Sequence, residues 1–268
     1  MRCFWVLKAP LRSSVEQAII RNIQAVEEEL KEATGERKKE VTAQLLDLKQ
    51  MLSSLQQEPP GLLQADVKEA VKEGDGKNLL ELRLFRALVS KYADIINDFE
   101  KKTVGEIKGM VNPDDLSVQS VLQGIKSEQY DFETGFEENA KKAFEFVKEE
   151  IGFVKLGIDV NFWLSPHELL REKIGDDKDI AVFLCSLLAG LGDENAEVIV
   201  CELSDSSTHA VVATEKGGKF FILDAVQKHG FEDYSGSKEE ILEKYSFNSA
   251  KISRFLYRFN RQKYEQFI

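Results

Sequence analysis

The spacing of apolar residues divides the chain into a long helical stretch and a shorter region where the period changes. Val15, Ile19, Ile23, Val26 and Leu30 recur three and four residues apart, which puts them on one face of a helix. Ser14 followed by Gln17 has capping-box spacing, so the helix is expected to open there. Gly35 ends the run, because glycine takes the left-handed conformation that closes a helix. A second stripe, Val41, Leu45, Leu48, Leu52 and Leu55, alternates steps of four and three with Glu, Lys, Gln and Asp between. Two arrangements compete for these stripes. A helix continuous through Gly35 makes a coiled-coil rod and a dimer. A break at Gly35 makes an antiparallel hairpin closed by Glu58-Pro59-Pro60-Gly61. Each stripe falls short of the roughly three to four heptads of a sustained coiled coil, which favours the hairpin.

A third long helix is predicted over about residues 77–110. Leu80, Leu84, Leu88, Tyr92, Ile95, Ile96 and Phe99 line its apolar face. Asn112-Pro113 stops it, since proline lacks a backbone donor and disfavours helix at the residue before. Leu116 to Ile125 reads as a shorter helix. Asp131 to Gly135 is polar, carries a glycine and reads as a linker, which sets an expected division into residues 1–130, a helical hairpin or bundle, and residues 131–268. Residues 137–152 form another amphipathic helix on Ala140, Ala143, Phe144, Val147 and Ile151.

Residues 165–192 are predicted helical, and then the period changes. Glu197 to Leu203, His209 to Thr214 and Lys219 to Asp224 are rich in Val, Ile and Phe, and turn-prone Ser204-Asp205-Ser206-Ser207 and Lys216-Gly217-Gly218 separate them. Such short links suit antiparallel hairpins. The expected class is α+β, a helical N-terminal region followed by a domain in which a helix packs on an antiparallel sheet.

Composition narrows the partners. Of 268 residues 43% are hydrophobic, enough for a substantial core. The 47 acids against 36 bases leave a net charge of −11, which repels phosphate backbones. The densest basic run, Arg37-Lys38-Lys39, is flanked by Glu36 and Glu40 and reads as a solvated helix face, so nucleic acid is not an expected partner. The three cysteines, Cys3, Cys185 and Cys201, have no paired spacing and suit a reducing, cytoplasmic setting. Met1 to Lys8 lacks the apolar length of about 7–15 residues that a signal peptide needs, and reads as a buried strand or plug. No stretch approaches the roughly 18 consecutive apolar residues of a membrane span, so no membrane association is expected. G-x-x-x-x-G-K-[ST], G-x-G-x-x-G and C-x-x-C are absent from the sequence, and no cofactor is expected.

The chemistry gathers after residue 160. Gly175-Asp176 followed by an apolar-periodic run puts residue 177 at a helix start, where free N–H groups and the helix dipole favour an anion. His209 opens one predicted strand and Asp224 ends the next, positions that lie close in an antiparallel hairpin. An anion-favouring position, a histidine and an orienting acid are the parts that activate a thiol. Taken singly, His209 reads as an ordinary strand histidine and Asp224 as a turn former. What joins them is the ordered set of sequence blocks around them.

From Trp163 to Ala225 the sequence reads WLSPHELLREKIGDDKDIAVFLCSLLAGLG, then EVIVC, then THAVVATEKGGKFFILDA. These blocks resemble the transglutaminase-like superfamily of thiol enzymes, relatives of papain. There an SP-x-E-x-L approach leads to a G-D-C-x-D turn and a helix ending in SLL-x-x-LG, after which strands deliver histidine in HA and aspartate in LD. The resemblance implies a thiol site at residue 177, with His209 and Asp224 as its partners. Here the turn reads G-D-D-K-D, with Asp177 in the nucleophile's place. A carboxylate suits a helix start and can cap it, but does not perform acyl transfer as a thiolate does. The resemblance therefore implies a degenerate triad, Asp177, His209 and Asp224, in a non-enzymatic protein- or peptide-binding module. Its N-terminal helices offer surfaces for self-association. Asp176 and Asp179 read as turn and capping residues, Asp179 also matching the family's second acid, while His167 and His229 fall outside the pattern.

A rearranged catalytic site is the alternative expectation, in two forms. Cys185 lies eight residues beyond 177, roughly 12 Å along a helix. It sits in the apolar run Ala181 to Leu184, where a cysteine behaves as an inert small hydrophobe. The second form is a divalent metal held by Asp177, His209 and Asp224, for which no H-E-x-x-H supports a further ligand set. Without a metal, two carboxylates about one imidazole raise the pKa of the ring.

Overall fold

Helix α1 (Trp5–Glu32) turns at Gly35, with φ 60, into helix α2 (Gly35–Gln57), and this pair is the predicted hairpin. The structure, a computed structural model, describes residues 5–57, 76–155 and 160–267. Cys3 and the Glu58-Pro59-Pro60-Gly61 turn lie outside the described residues, as do the side chains of Val15, Leu55 and Leu80. Ile19, Ile23 and Val26 of α1 are buried in one apolar cluster with Val41 and Leu48 of α2. The helix opens at Trp5, earlier than Ser14, so Trp5 to Lys8 are helical and not a strand. A capping-box spacing is a local signal, and it yields where the residues upstream continue the helix.

The single helix predicted over 77–110 is three: α3 (Gly76–Lys91), α4 (Ala93–Phe99) and α5 (Val104–Met110). Thr103 is extended and caps α5, its Oγ1 accepting from Glu106 N at 3.3 Å while Glu106 Oε2 accepts from Thr103 N at 2.7 Å. That reciprocal pair starts a new helix where the apolar period alone ran on. The apolar face of the first two is largely open, with Leu84 67%, Ile95 66% and Phe99 90% exposed.

Helix α6 (Leu116–Ile125) packs on α1, where Asn22 Nδ2 donates to Ser120 Oγ, and on the helices that follow. The linker expected at 131–135 is instead the start of α7 (Phe132–Glu150). Asp131 Oδ1 accepts from Thr134 N at 3.1 Å, so the polar residues there are cap chemistry. The helix expected over 165–192 is also split. Ser165 and Glu168 form a capping box at the start of α8 (Pro166–Glu172), Lys173 closes it at φ 56, and a second box starts α9 (Asp177–Gly190). Between them β2 (Ile174–Gly175) runs parallel to β1 (Gly152–Phe153).

The main sheet is antiparallel, ordered β6-β5-β4-β3-β8-β7, with β9 beside β8. Its strands are β3 (Glu197–Leu203), β4 (Thr208–Lys216), β5 (Lys219–Leu223), β6 (Ser235–Gly236), β7 (Ser246–Phe247), β8 (Ala250–Phe259) and β9 (Tyr264–Gln266). Val198, Val200, Ala210, Val212, Phe221 and Leu223 face one cluster, shared with α9 and the N-terminal helices. Ile199, Cys201, Leu203, Val211, Ala213 and Ile222 face a second cluster, closed by Tyr245, Phe247 and α10 (Lys238–Lys244). Burial on both faces explains why these strands read as continuous apolar runs. The architecture is α+β, with α9 packed on the antiparallel sheet as predicted. Among the described residues no helix is long and apolar enough to cross a membrane.

Candidate functional site

The site forms where the start of α9 meets the start of β4. Asp176 Oδ1 accepts from Lys178 N at 2.9 Å and Asp179 N at 3.1 Å, while Asp179 Oδ2 accepts from Asp176 N at 3.2 Å. Both acids are therefore caps, as expected. Asp179 is 1% exposed, and its Oδ1 accepts from Leu164 N at 2.8 Å, which ties the incoming chain to the helix start. Burial, then the neighbouring Asp176 charge, push the Asp179 carboxyl up to about 7 against the opposing pull of its N–H donors.

Gly175 has to be glycine for space. A Cβ there would stand 2.4 Å from Leu169 Cδ1 and 3.1 Å from Asp179 Cβ, and Leu169 is itself fully buried. Gly175→Ala is expected to cost about 1–3 kcal/mol in a urea unfolding curve. An unchanged midpoint would mean that Leu169 moves aside freely.

Asp177, the first residue of α9, points across to the sheet. Its Oδ2 accepts from His209 Nδ1 at 2.7 Å and from Ala210 N at 3.0 Å. The other ring nitrogen, His209 Nε2, lies 3.0 Å from Asp224 Oδ2, just beyond β5. The three residues singled out from the sequence thus meet as a line, carboxylate, imidazole, carboxylate. His209 is 1% exposed and Asp224 4%, so only Asp177 borders solvent.

Further side chains complete the arrangement. Tyr245 Oη and Gln227 Nε2 each donate to Asp224 Oδ2 at 2.6 Å, and Val226 N donates to Oδ1 at 3.2 Å. Phe247 lies flat on the imidazole, with centroids 3.8 Å apart and planes at 15°. Sequence reasoning missed Tyr245, Gln227 and Phe247. One signal was present: Tyr245 and Phe247 are two apart, so an extended segment presents both aromatics on one face.

Burial alone would discharge His209. The hydrogen bonds to Asp177 and Asp224, with their charges, outweigh that and hold the ring up at about 9. Burial likewise works against the Asp224 carboxylate, but its bond to His209, the ring's charge and the Tyr245 and Gln227 donors keep it below its ordinary range. Burial, then the Asp224 charge, raise the Tyr245 hydroxyl, so it stays a donor.

The rearranged sites fare differently. Cys185 is fully buried, and burial pushes its thiol far up. Cys201 pairs with His209 across β3 and β4, and its Sγ donates to the His209 carbonyl at 3.4 Å. Burial, then the Asp177 and Asp224 charges, push it up to about 12. A thiol held protonated is a poor nucleophile. The metal alternative fails on direction. The ring nitrogens point to opposite sides, each to its own carboxylate, so the three donors do not converge. Among the described residues no group of three or more His, Cys, Asp and Glu side chains is arranged to hold a metal ion. His167 lies 3.7 Å from Asp47 of α2 and His229 beside Asp233, as outsiders to the pattern. A cavity of about 460 Å³ bounded by Thr214, Gly217 and Arg258 sits at the other end of β4, away from this chemistry.

Residues 161–251 match the family model of the CEP76 peptidase-like domain, and that stretch contains the whole of Trp163 to Ala225. Among solved structures, EGTA-treated Legionella pneumophila LapG is similar at 14% identity and a TM-score of 0.41, over 66% of this chain and 86% of that one. A second Legionella pneumophila LapG structure gives 15% and 0.41, over 65% and 87%. The calcium-bound form gives 15% and 0.38, over 56% and 85%. No curated protein matches the chain.

Proposed function

We propose that this is a transglutaminase-like protein without acyl-transfer activity, whose surface around the start of α9 binds a protein or peptide. The observation that carries the reading is Asp177 Oδ2, 2.7 Å from His209 Nδ1 at the helix start where a thiolate would have to stand. That oxygen accepts two N–H groups at once, so the imidazole acts as a charged clamp on a carboxylate. It has no proton to take from a nucleophile. The two described cysteines are unpaired and buried, which leaves no exposed thiol among the described residues and suits a reducing compartment such as the cytoplasm. The net charge of −11 favours protein partners bearing basic groups over nucleic acid.

Peptides selected from a displayed random library test both halves of the reading. Binders are expected that lose at least tenfold in affinity on Asp177→Arg, about 1.4 kcal/mol, and that the wild-type protein leaves uncleaved. Turnover of those peptides would overturn the non-enzymatic half. Binders indifferent to Asp177→Arg would overturn the location.

A further inference from the structure

We draw no further inference here: the strongest candidate, the exposed apolar stripe of Phe85, Leu88, Tyr92, Ile95 and Phe99 along α3 and α4, carries none, because nothing in the structure shows what covers it.

Discussion

Replacing His209 by alanine is expected to destabilise the protein by about 3–5 kcal/mol, the range for removing one partner from a buried ion pair. The imidazole separates two carboxylates, and Asp224 on its far side is 4% exposed. Without the ring these acids face each other across a space that Phe247 roofs. Tyr245 and Gln227 still donate to Asp224, which spares its other contacts but not the loss of the compensating charge. Urea unfolding with an unchanged slope measures the effect. A loss below about 1 kcal/mol would mean that the ring is not held as a cation.

The same clamp gives stability a pH dependence with a definite sign. His209 is raised to about 9 in the fold, against about 6.5 for the unfolded chain. Its stabilisation is complete below the unfolded value and is lost as pH rises through the folded one. Stability should therefore fall between about pH 6.5 and 9, and His209→Ala should flatten that limb. Asp224, held low, contributes above the ordinary carboxylate range and is lost only as pH falls through its depressed folded value. Asp179 is raised to about 7, so its preference for the fold fades between roughly pH 4 and 7. Between about pH 7 and 8 the fall is therefore chiefly that of His209, and above that the buried Cys185 and Cys201 thiols, held protonated in the fold, steepen it.

Much of this site was legible because its parts are local. A glycine-aspartate turn before an apolar helix, a histidine opening a strand and an aspartate closing the next can each be read from a few neighbouring residues. Tyr245 and Phe247 were not, because β7 reaches the site through α10 and the edge of the sheet, with no local mark of the destination. Strand β8 escaped for a related reason: its exposed and half-buried positions show no clean alternation, and it is inserted beside β3 by pairing alone. The break before α5 is marked by Thr103 with Glu106, although the apolar period runs on through Phe99. That period marks an apolar face, and much of that face stands in the open.

Asp177→Cys is the second large effect. The side chain of residue 177 stands at the first position of α9, facing a ring held protonated at 2.7 Å. A thiol there gains the free N–H groups of the helix start and an imidazolium partner, conditions that lower a cysteine pKa from about 8.5 into the range of about 3.5–7.5. Its alkylation should set in at least one pH unit below that of a free thiol. Low-pKa thiolates are individually less nucleophilic, so the shifted midpoint reports the effect better than the plateau rate. Without the ring the helix start alone remains, and the midpoint should climb back towards 8.5.

The most direct measurement is therefore the pH profile of alkylation for the wild type, for Asp177→Cys, and for Asp177→Cys with His209→Ala. Expected are slow reaction of the wild type, a midpoint at or below about 7.5 for the single substitution, and its return upward when His209 is removed. Slow alkylation in all three forms would contradict this expectation, because residue 177 would then not occupy a nucleophile's position. Fast reaction of the wild type, mapped to Cys185, would contradict it more completely.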